Sequence, residues 1–259
     1  MKTIPRRLLC CAIVLLGFGP VGNGDGAVPA DLQAGGLVLH EGVSDRETPP
    51  TPVRFRFEIT LYVQPLADGP VEILASPFAA TDDSARSHFQ ISGDIIRVKD
   101  GQTIASILTA DPETKTEVEL KAGTLYRIQL ASLVDGVPGD KTASILLPEG
   151  LAAAILASFE KPAWVEGING FLWVPAGSRE IPCVGAPRVS LISPDGVRTD
   201  ISTPNAGAED AKALPVRPDE TGQIWKVGNQ TRGLVGFGGN IPPWINLNGR
   251  NLLLPAGAR

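Results

Sequence analysis

Residues 53–63 read VRFRFEITLYV, and this stretch decides the fold. Its odd positions, from Val53 to Val63, are all apolar, while its even positions carry Arg, Arg, Glu, Thr and Tyr. A period of two predicts a long β-strand with one buried face and one solvated face. Burial on one face only is typical of antiparallel sheets.

Similar short runs recur along the chain and are separated by turn-forming residues. They predict further strands at 71–74, 95–98, 117–121, 126–130, 171–174, 188–192, 197–201 and 224–227. Asp195-Gly196 lies between two of these runs and predicts a hairpin, because glycine accepts a positive φ. Residues 151–159 are ambiguous, since their alanines favour a short helix while Ile155-Leu156 favours a strand.

The composition agrees with an all-β protein made of antiparallel β-sandwich modules of the jelly-roll or Ig-like kind. The 259 residues are 43% hydrophobic and 20% charged, which is enough apolar material for a packed core. The 29 glycines and 23 prolines argue against a helical bundle. A net charge of -5 makes nucleic acid a poor partner, because phosphate binding needs a basic surface.

Residues 1–30 predict a secretory signal peptide. Lys2, Arg6 and Arg7 precede the uncharged apolar run 8–19, which is shorter than the ~20 residues of a membrane-spanning helix. No later stretch reaches spanning length. We therefore expect a cleaved protein without a transmembrane segment, secreted or located in the periplasm or at the cell surface. An uncleaved membrane anchor is the alternative.

Few residues are available for metal or nucleophile chemistry. Signal cleavage would remove Cys10 and Cys11 and leave Cys183, which we expect to be a small buried side chain. With only two histidines in the chain, the sequence predicts no catalytic residue, no cofactor and no zinc site, and hence a protein that is not an enzyme. Asp82-Asp83 leaves a loop calcium site open.

Segments in the two halves of the chain resemble each other, and this internal similarity predicts two modules after a linker. LYVQP at 61–65 resembles LWVP at 172–175, and GTLYRI at 123–128 resembles GQIWKV at 222–227. Each unit is close to the ~100 residues of a small β-sandwich. The predicted organisation is a linker at 31–50 with one short strand at 37–39, a first module at 51–158 and a second at 159–259.

Five short motifs in the second module carry a family resemblance. In chain order they are GFLWVPAG at 170–177, SPDG at 193–196, GQIWKV at 222–227, IPPW at 241–244 and LLLP at 252–255. In this order they resemble the pre-peptidase-like β-sandwich modules of exported bacterial proteins, over about residues 164–259. The resemblance implies an antiparallel sandwich with an auxiliary, non-catalytic role, although Trp173 and Trp244 stand where that family usually has tyrosine.

The four tryptophans supply the candidate binding residues. Trp173 and Trp225 lie mid-strand, and we expect them to fill the core. Trp164 and Trp244 lie in loop-like stretches, and we expect exposed rings there that stack on sugars, with Trp244 alternatively sealing one end of a sandwich. The leading hypothesis is therefore an auxiliary module that binds extracellular polysaccharide.

Two alternatives to polysaccharide binding remain open at this point. One is a structural or assembly protein of the cell envelope that contacts other envelope proteins and has no small ligand. The other is a carbohydrate-active hydrolase that uses a pair of carboxylates, as glycosidases do.

Overall fold

A computed structural model describes residues 36–42, 51–77, 89–109, 114–186, 188–203, 210–229 and 232–258. The predicted signal peptide and Asp82-Asp83 lie outside these ranges. Within them the chain forms 21 β-strands and one short 3-10 helix at Pro218–Glu220. The described ranges contain no helix with the length and apolarity needed to cross a membrane.

The first predicted half, together with the segment before it, contributes eleven strands. They are β1 (Leu37–Glu41), β2 (Val53–Phe55), β3 (Glu58–Pro65), β4 (Gly69–Pro77), β5 (Phe89–Arg97), β6 (Gln102–Thr109), β7 (Thr114–Leu120), β8 (Tyr126–Val134), β9 (Val137–Pro138), β10 (Ala143–Leu146) and β11 (Leu151–Leu156).

The second half contributes the other ten. They are β12 (Ala163–Glu166), β13 (Asn169–Val174), β14 (Glu180–Ala186), β15 (Val189–Ile192), β16 (Arg198–Asp200), β17 (Lys212–Pro215), β18 (Gln223–Asn229), β19 (Arg232–Phe237), β20 (Trp244–Asn246) and β21 (Asn251–Pro255).

These strands form two large antiparallel sheets and one two-stranded ribbon. The eight-stranded sheet has the order β17-β14-β19-β12-β2-β10-β4-β7. The eleven-stranded sheet has the order β16-β15-β18-β13-β20-β11-β3-β8-β5-β6, with β9 paired to β8. The ribbon is β1 paired with β21. The predicted all-β, antiparallel sandwich is therefore confirmed.

Each large sheet runs through both halves of the chain. The eight-stranded sheet crosses from one half to the other where β2 pairs with β12, with Phe55 opposite Val165. The eleven-stranded sheet crosses where β11 pairs with β20, with Ile155 opposite Ile245. The inward-facing side chains of the two sheets form one continuous hydrophobic core that includes residues of both halves.

The opening stretch VRFRFEITLYV is two strands rather than the single long strand predicted. The chain breaks at Phe57, whose φ is 55°, and passes from β2 in the eight-stranded sheet to β3 in the eleven-stranded one. Three of the four even positions of β3 are also buried: Thr60, Tyr62 and Gln64 lie at 3%, 2% and 9% exposure, while Glu58 is exposed. The alternation is kept on both sides of the break, since one core buries the apolar side chains of both strands. These are Val53, Phe55, Ile59, Leu61 and Val63.

The ribbon forms a third layer over the outer face of the eleven-stranded sheet. Leu253 of β21 packs in a buried cluster with Leu37, Tyr62, Ala152, Ala154 and Trp244. Leu252 and Leu254 pack against Phe171, Trp173 and Ile224. Because β21 buries both of its faces, one on each half of the chain, the ribbon ties the two halves together.

Several smaller predictions can be compared directly with the structure. The ambiguous segment 151–159 contains the strand β11 and no helix. The short strand predicted at 37–39 is part of β1. Asp195-Gly196 forms the hairpin between β15 and β16, with Gly196 at φ 90°. Cys183 is fully buried, as expected.

Candidate functional site

Trp244 does not offer its ring to a ligand. It is 2% exposed and meets Tyr62 edge-on, with ring centroids 4.9 Å apart. The expectation of an exposed ring is wrong, because the ribbon covers the strand that carries it. Burial in the same cluster raises the pKa of the Tyr62 hydroxyl above its ordinary value, and the neighbouring Arg127 only partly opposes this effect.

Trp225 and Trp173 differ in position: Trp225 lies in the core, whereas Trp173 lies on the outer face of the eleven-stranded sheet. Trp225 is 3% exposed, and its ring nitrogen donates a hydrogen bond to the carbonyl of Glu220 at 3.3 Å, so its predicted core position is confirmed. Trp173 was predicted in the core as well, but it is half-buried and packs under β21. The reason is strand alternation, since Leu172 and Val174 take the inward positions of β13.

Trp164 lies half-buried on the outer face of the eight-stranded sheet, away from the ribbon. Its ring contacts the Phe57 ring, with centroids 5.9 Å apart and planes inclined at 58°. Arg56, which follows the neighbouring strand β2, donates its backbone N–H to the Trp164 carbonyl at 3.2 Å. The strained backbone of Phe57 thus places a second aromatic ring against Trp164.

Charged side chains surround Trp164 on the same face. The register places Glu166 of β12 between Arg54 of β2 and Arg232 of β19. Its carboxylate lies 3.9 Å from the Arg54 guanidinium and 3.4 Å from that of Arg232. We call Arg54, Arg56, Trp164, Glu166 and Arg232 the arginine strip.

A shallow groove follows this strip. It is too narrow to admit a water molecule, and Arg56, Trp164, Glu166 and Arg232 are among its lining residues. Arg56 is held in place by a hydrogen bond from its Nε to Thr142 Oγ1 at 3.3 Å. The groove is therefore bordered by guanidinium groups on both sides and by an indole ring.

At Glu166 the groove meets a larger cleft, which we call the junction cleft. Its cavity volume is about 170 Å³, and it is partly open to solvent. Five connecting segments border it: the start of β2, the β3–β4 turn, residues 147–150, the β12–β13 turn and the β20–β21 turn. The complete lining is Thr51, Pro52, Val53, Arg54, Leu66, Leu147, Pro148, Glu149, Gly150, Leu151, Ala153, Val165, Glu166, Gly167, Ile168, Asn169, Leu247, Asn248 and Asn251.

The lining of the junction cleft combines apolar side chains with amide groups. Buried apolar side chains such as Val53, Ala153 and Val165 line its inner part. Asn169, Asn248 and Asn251 add amide groups, which both donate and accept hydrogen bonds. Among the described residues, those that line the cleft include no histidine, cysteine or aromatic side chain.

A second charged cluster lies in the second half of the chain, around Arg217. The Arg217 guanidinium contacts Asp195 and lies 2.8 Å from a carboxylate oxygen of Glu220. Hydrogen bonds from the Ser193 hydroxyl and from Arg217 hold the pKa of Asp195 below its usual range. Because Glu220 also accepts the Arg217 backbone N–H, this cluster fixes a turn.

The described ranges contain no group of three or more His, Cys, Asp or Glu side chains arranged to hold a metal ion. Asp82-Asp83, the candidate calcium loop, lies outside them. The structure thus brings Trp164 into a site with Arg54, Arg56 and Arg232, and it does not bring Trp164 and Trp244 together. The sequence analysis missed the cleft, although Arg54 and Arg56 on the solvated face of the opening stretch were a usable signal.

Comparisons with known proteins give little similarity. No family model matches the chain, and no curated protein matches it. Among solved structures, dimeric latent PorU from Porphyromonas gingivalis is similar at 10% identity with a TM-score of 0.16. That match covers 85% of this chain and 21% of the PorU chain, so this chain spans about a fifth of that protein. A TM-score this low carries no argument about fold or function.

Proposed function

We propose that this is an exported, non-catalytic β-sandwich protein that binds extracellular polysaccharide along the arginine strip and the junction cleft. One observation carries the proposal: the half-exposed Trp164 ring and the asparagine-rich cleft are joined through Glu166 into one surface. An indole ring can cover the apolar face of a sugar, and amide groups can hydrogen-bond its hydroxyls. The pre-peptidase-like resemblance of residues 164–259 supports an auxiliary role of this kind.

The dimensions of this surface suit a chain rather than a small molecule. The junction cleft has a cavity volume of about 170 Å³, which is below the ~300–1,000 Å³ typical of closed ligand pockets, and it is partly open to solvent. A polymer can therefore enter and leave along the surface, with one unit at Trp164 and others at Asn169 and Asn248.

The test is retention of the full mature protein on a panel of polysaccharides. We expect Trp164→Ala to lower the affinity for the retained polysaccharide by about tenfold, because removing a contact ring costs on the order of 1–2 kcal/mol. Trp173→Ala is the matched control, since it removes another half-buried tryptophan on the opposite sheet. We expect that variant to bind normally.

A second variant protects the test against misfolding of Trp164→Ala. Asn169 is exposed at the start of β13, and Asn169→Ala should lower the affinity severalfold with an unchanged far-UV circular dichroism spectrum. If the folded wild type is retained by no polysaccharide, the binding proposal fails in favour of a structural or assembly role in the cell envelope.

A further inference from the structure

The two large sheets have four terminal strands, which are β17 and β7 in the eight-stranded sheet and β16 and β6 in the eleven-stranded sheet. A terminal strand presents backbone N–H and C=O groups with which another chain can pair. Charged side chains, proline and a very short strand all oppose such pairing. The residues of these four strands therefore show at which edge another chain can add.

Three of the four edges carry features that oppose pairing. β7 exposes one lysine and two glutamates at alternate positions. β17 begins with Lys212 and ends at Pro215, which has no N–H to donate. β16 is only three residues long, Arg198–Asp200, and both of its end residues are charged. Each of these edges is thus protected against a further strand.

Strand β6 lacks these features. Its eight residues, Gln102–Thr109, include no charged side chain and no proline. Its pairing with β5 shifts register between Ile95 and Ile96 of β5, but residues 105–109 pair in regular order with 91–95. Within the described chain, β5 is the one strand that pairs with β6. Charge therefore does not oppose the addition of a strand along this part of β6.

Leu108 adds an exposed apolar side chain to the same edge. It is 65% exposed, the largest fraction among the exposed large hydrophobic side chains of the described chain. Its neighbour Ile107 points into the core and is 1% exposed, so Leu108 lies on the outer face of the sheet. A strand added at β6 would cover part of Leu108.

A second copy of this chain suits the β6 edge because like charges would stay far apart. Asp94 of β5 lies opposite Ser106 and accepts a hydrogen bond from its hydroxyl at 2.6 Å. In a β6–β6 pair the two β5 strands would be three strand spacings apart, about 14 Å, which exceeds the ~8 Å screening length at physiological ionic strength. A β7–β7 pair would instead bring glutamates of the two copies to about 5 Å from each other.

We infer that β6 is a dimerisation edge, at which two copies of this chain pair antiparallel and join their eleven-stranded sheets across a two-fold axis. Because side chains alternate between the faces of a strand, the register has to keep Leu108 of both copies on the outer face. A register with Ile107 opposite Ile107 of the second copy meets this condition. It places the two Leu108 side chains on a diagonal of about 7–8 Å, close enough for contact. The inference is independent of polysaccharide binding.

Sedimentation velocity of the full mature protein tests the inference. The contact is small, so a concentration series of about 1–200 µM is needed. We expect the weight-average mass to rise towards that of a dimer and to stop there, because a two-fold contact closes the assembly. Raising the salt from about 50 to about 500 mM should not dissociate the dimer, since β6 is uncharged. A wild type that stays monomeric throughout, or that assembles beyond the dimer, would overturn the inference.

Lysine substitutions at opposite edges of the eleven-stranded sheet locate the contact. Leu108→Lys should raise the dimer dissociation constant about tenfold or more, because each dimer gains two like charges on facing strands. Leu108→Glu should have the same effect, since like charges again meet. Val197→Lys is the matched control, because Val197 is 57% exposed and directly precedes β16 at the other edge. We expect it to leave dimerisation unchanged.

The outcomes for these variants are distinct. A dimer that resists both Leu108 variants uses another surface, and that result would overturn the inference. Equal weakening by Leu108→Lys and Val197→Lys would also overturn it, because association would then follow net charge. Far-UV circular dichroism of each variant identifies any loss of folding, which we do not expect at two exposed side chains.

Discussion

Cys183 is a fully buried thiol. Its side chain is 0% exposed, and its Sγ lies 3.6 Å from the carbonyl oxygen of Lys212 on the neighbouring strand. Burial raises the pKa of the thiol from 9.0 to about 12, because an ionised sulfur would lose its hydration there. The folded protein therefore keeps this proton at pH values where the unfolded chain releases it.

The sign of this effect makes a pH prediction. Stability from the protonated thiol is fully present below pH 9 and is lost as the pH rises from there towards 12, because only the unfolded chain ionises in that window. The loss should reach about 1–2 kcal/mol at pH 10. Urea unfolding at pH 8 and pH 10 measures it.

Cys183→Ala is the control for this prediction. The free energy of unfolding should fall more steeply between pH 8 and pH 10 in the wild type than in the variant. Parallel pH profiles for the two proteins would contradict a strongly raised thiol pKa.

Single residues also show which burial can be predicted from sequence patterns and which cannot. Trp164 and Trp244 looked alike in the sequence, since neither lies in an alternating run. They differ because Trp244 lies under β21, a strand that the pattern around residue 244 does not reveal. Cys183 was predictable because one isolated small apolar side chain needs no partner to be buried.

At the scale of strands, β21 contributes more to the packing than its five residues suggest. Leu252, Leu253 and Leu254 are all buried, one on the first half's side and two on the second's. Its partner strand β1 is much more exposed, with Leu39 at 39% although it stands opposite Leu253. The ribbon is thus anchored mainly through β21.

This asymmetry predicts two different costs for the same substitution. Leu253→Ala should lower the free energy of unfolding by about 2–5 kcal/mol, because it opens a cavity above Trp244. Leu39→Ala, at the paired position, should change it by only about 0.5 kcal/mol. Chemical denaturation followed by tryptophan fluorescence measures both. Similar losses for the two variants would mean that β21 is not the anchor.

Strand β11 illustrates why its sequence could not be read with certainty. Ala152 and Ala154 are fully buried on its outer face, beneath the ribbon. Small side chains there let β21 approach closely, so packing and not helix propensity explains the alanines. The break at Phe57 was equally hidden, because β2 and β3 bury the same face of the alternating pattern.

At the scale of the whole molecule, the two predicted modules share their sheets. The β2–β12 and β11–β20 pairings make both large sheets continuous, and one core passes through both halves. The division at residues 158 and 159 stays a prediction of the sequence. The shared sheets lead us to expect that the halves unfold together.

Cooperativity can be measured because all four tryptophans lie in the second half. Ile128→Ala removes a fully buried side chain from β8 in the first half and should cost about 2–5 kcal/mol. If the halves are coupled, this variant lowers the urea midpoint seen by tryptophan fluorescence as much as the midpoint seen by circular dichroism.

The unmutated protein provides the reference, and its two probes should give coincident transitions. If Ile128→Ala leaves the urea midpoint seen by fluorescence unchanged, that result would contradict coupling and favour two independent modules.

The sequence was informative about local strand patterns and weak on how the strands assemble. Period-two runs fell within β4, β8, β13 and β18, because the alternation of side chains along a strand reflects which of them are buried. The junction cleft depends on five connecting segments that are distant in sequence, and no local sequence pattern shows that they lie together in the fold. The sequence indicated only part of the arginine strip: the alternating pattern pointed to Arg54 and Arg56, but no pattern pointed to Arg232.

The ribbon also decides how the molecule responds to tension. Gly36 accepts a hydrogen bond from the backbone of Ala256 at 3.1 Å, so the outer ends of β1 and β21 lie side by side. A force that pulls these two points apart loads the five residue pairs of the ribbon one after another, as in a zipper, and not all at once. The pairing would therefore unzip at low force and release β1, whereas β21, held by its buried leucines, would stay over Trp244.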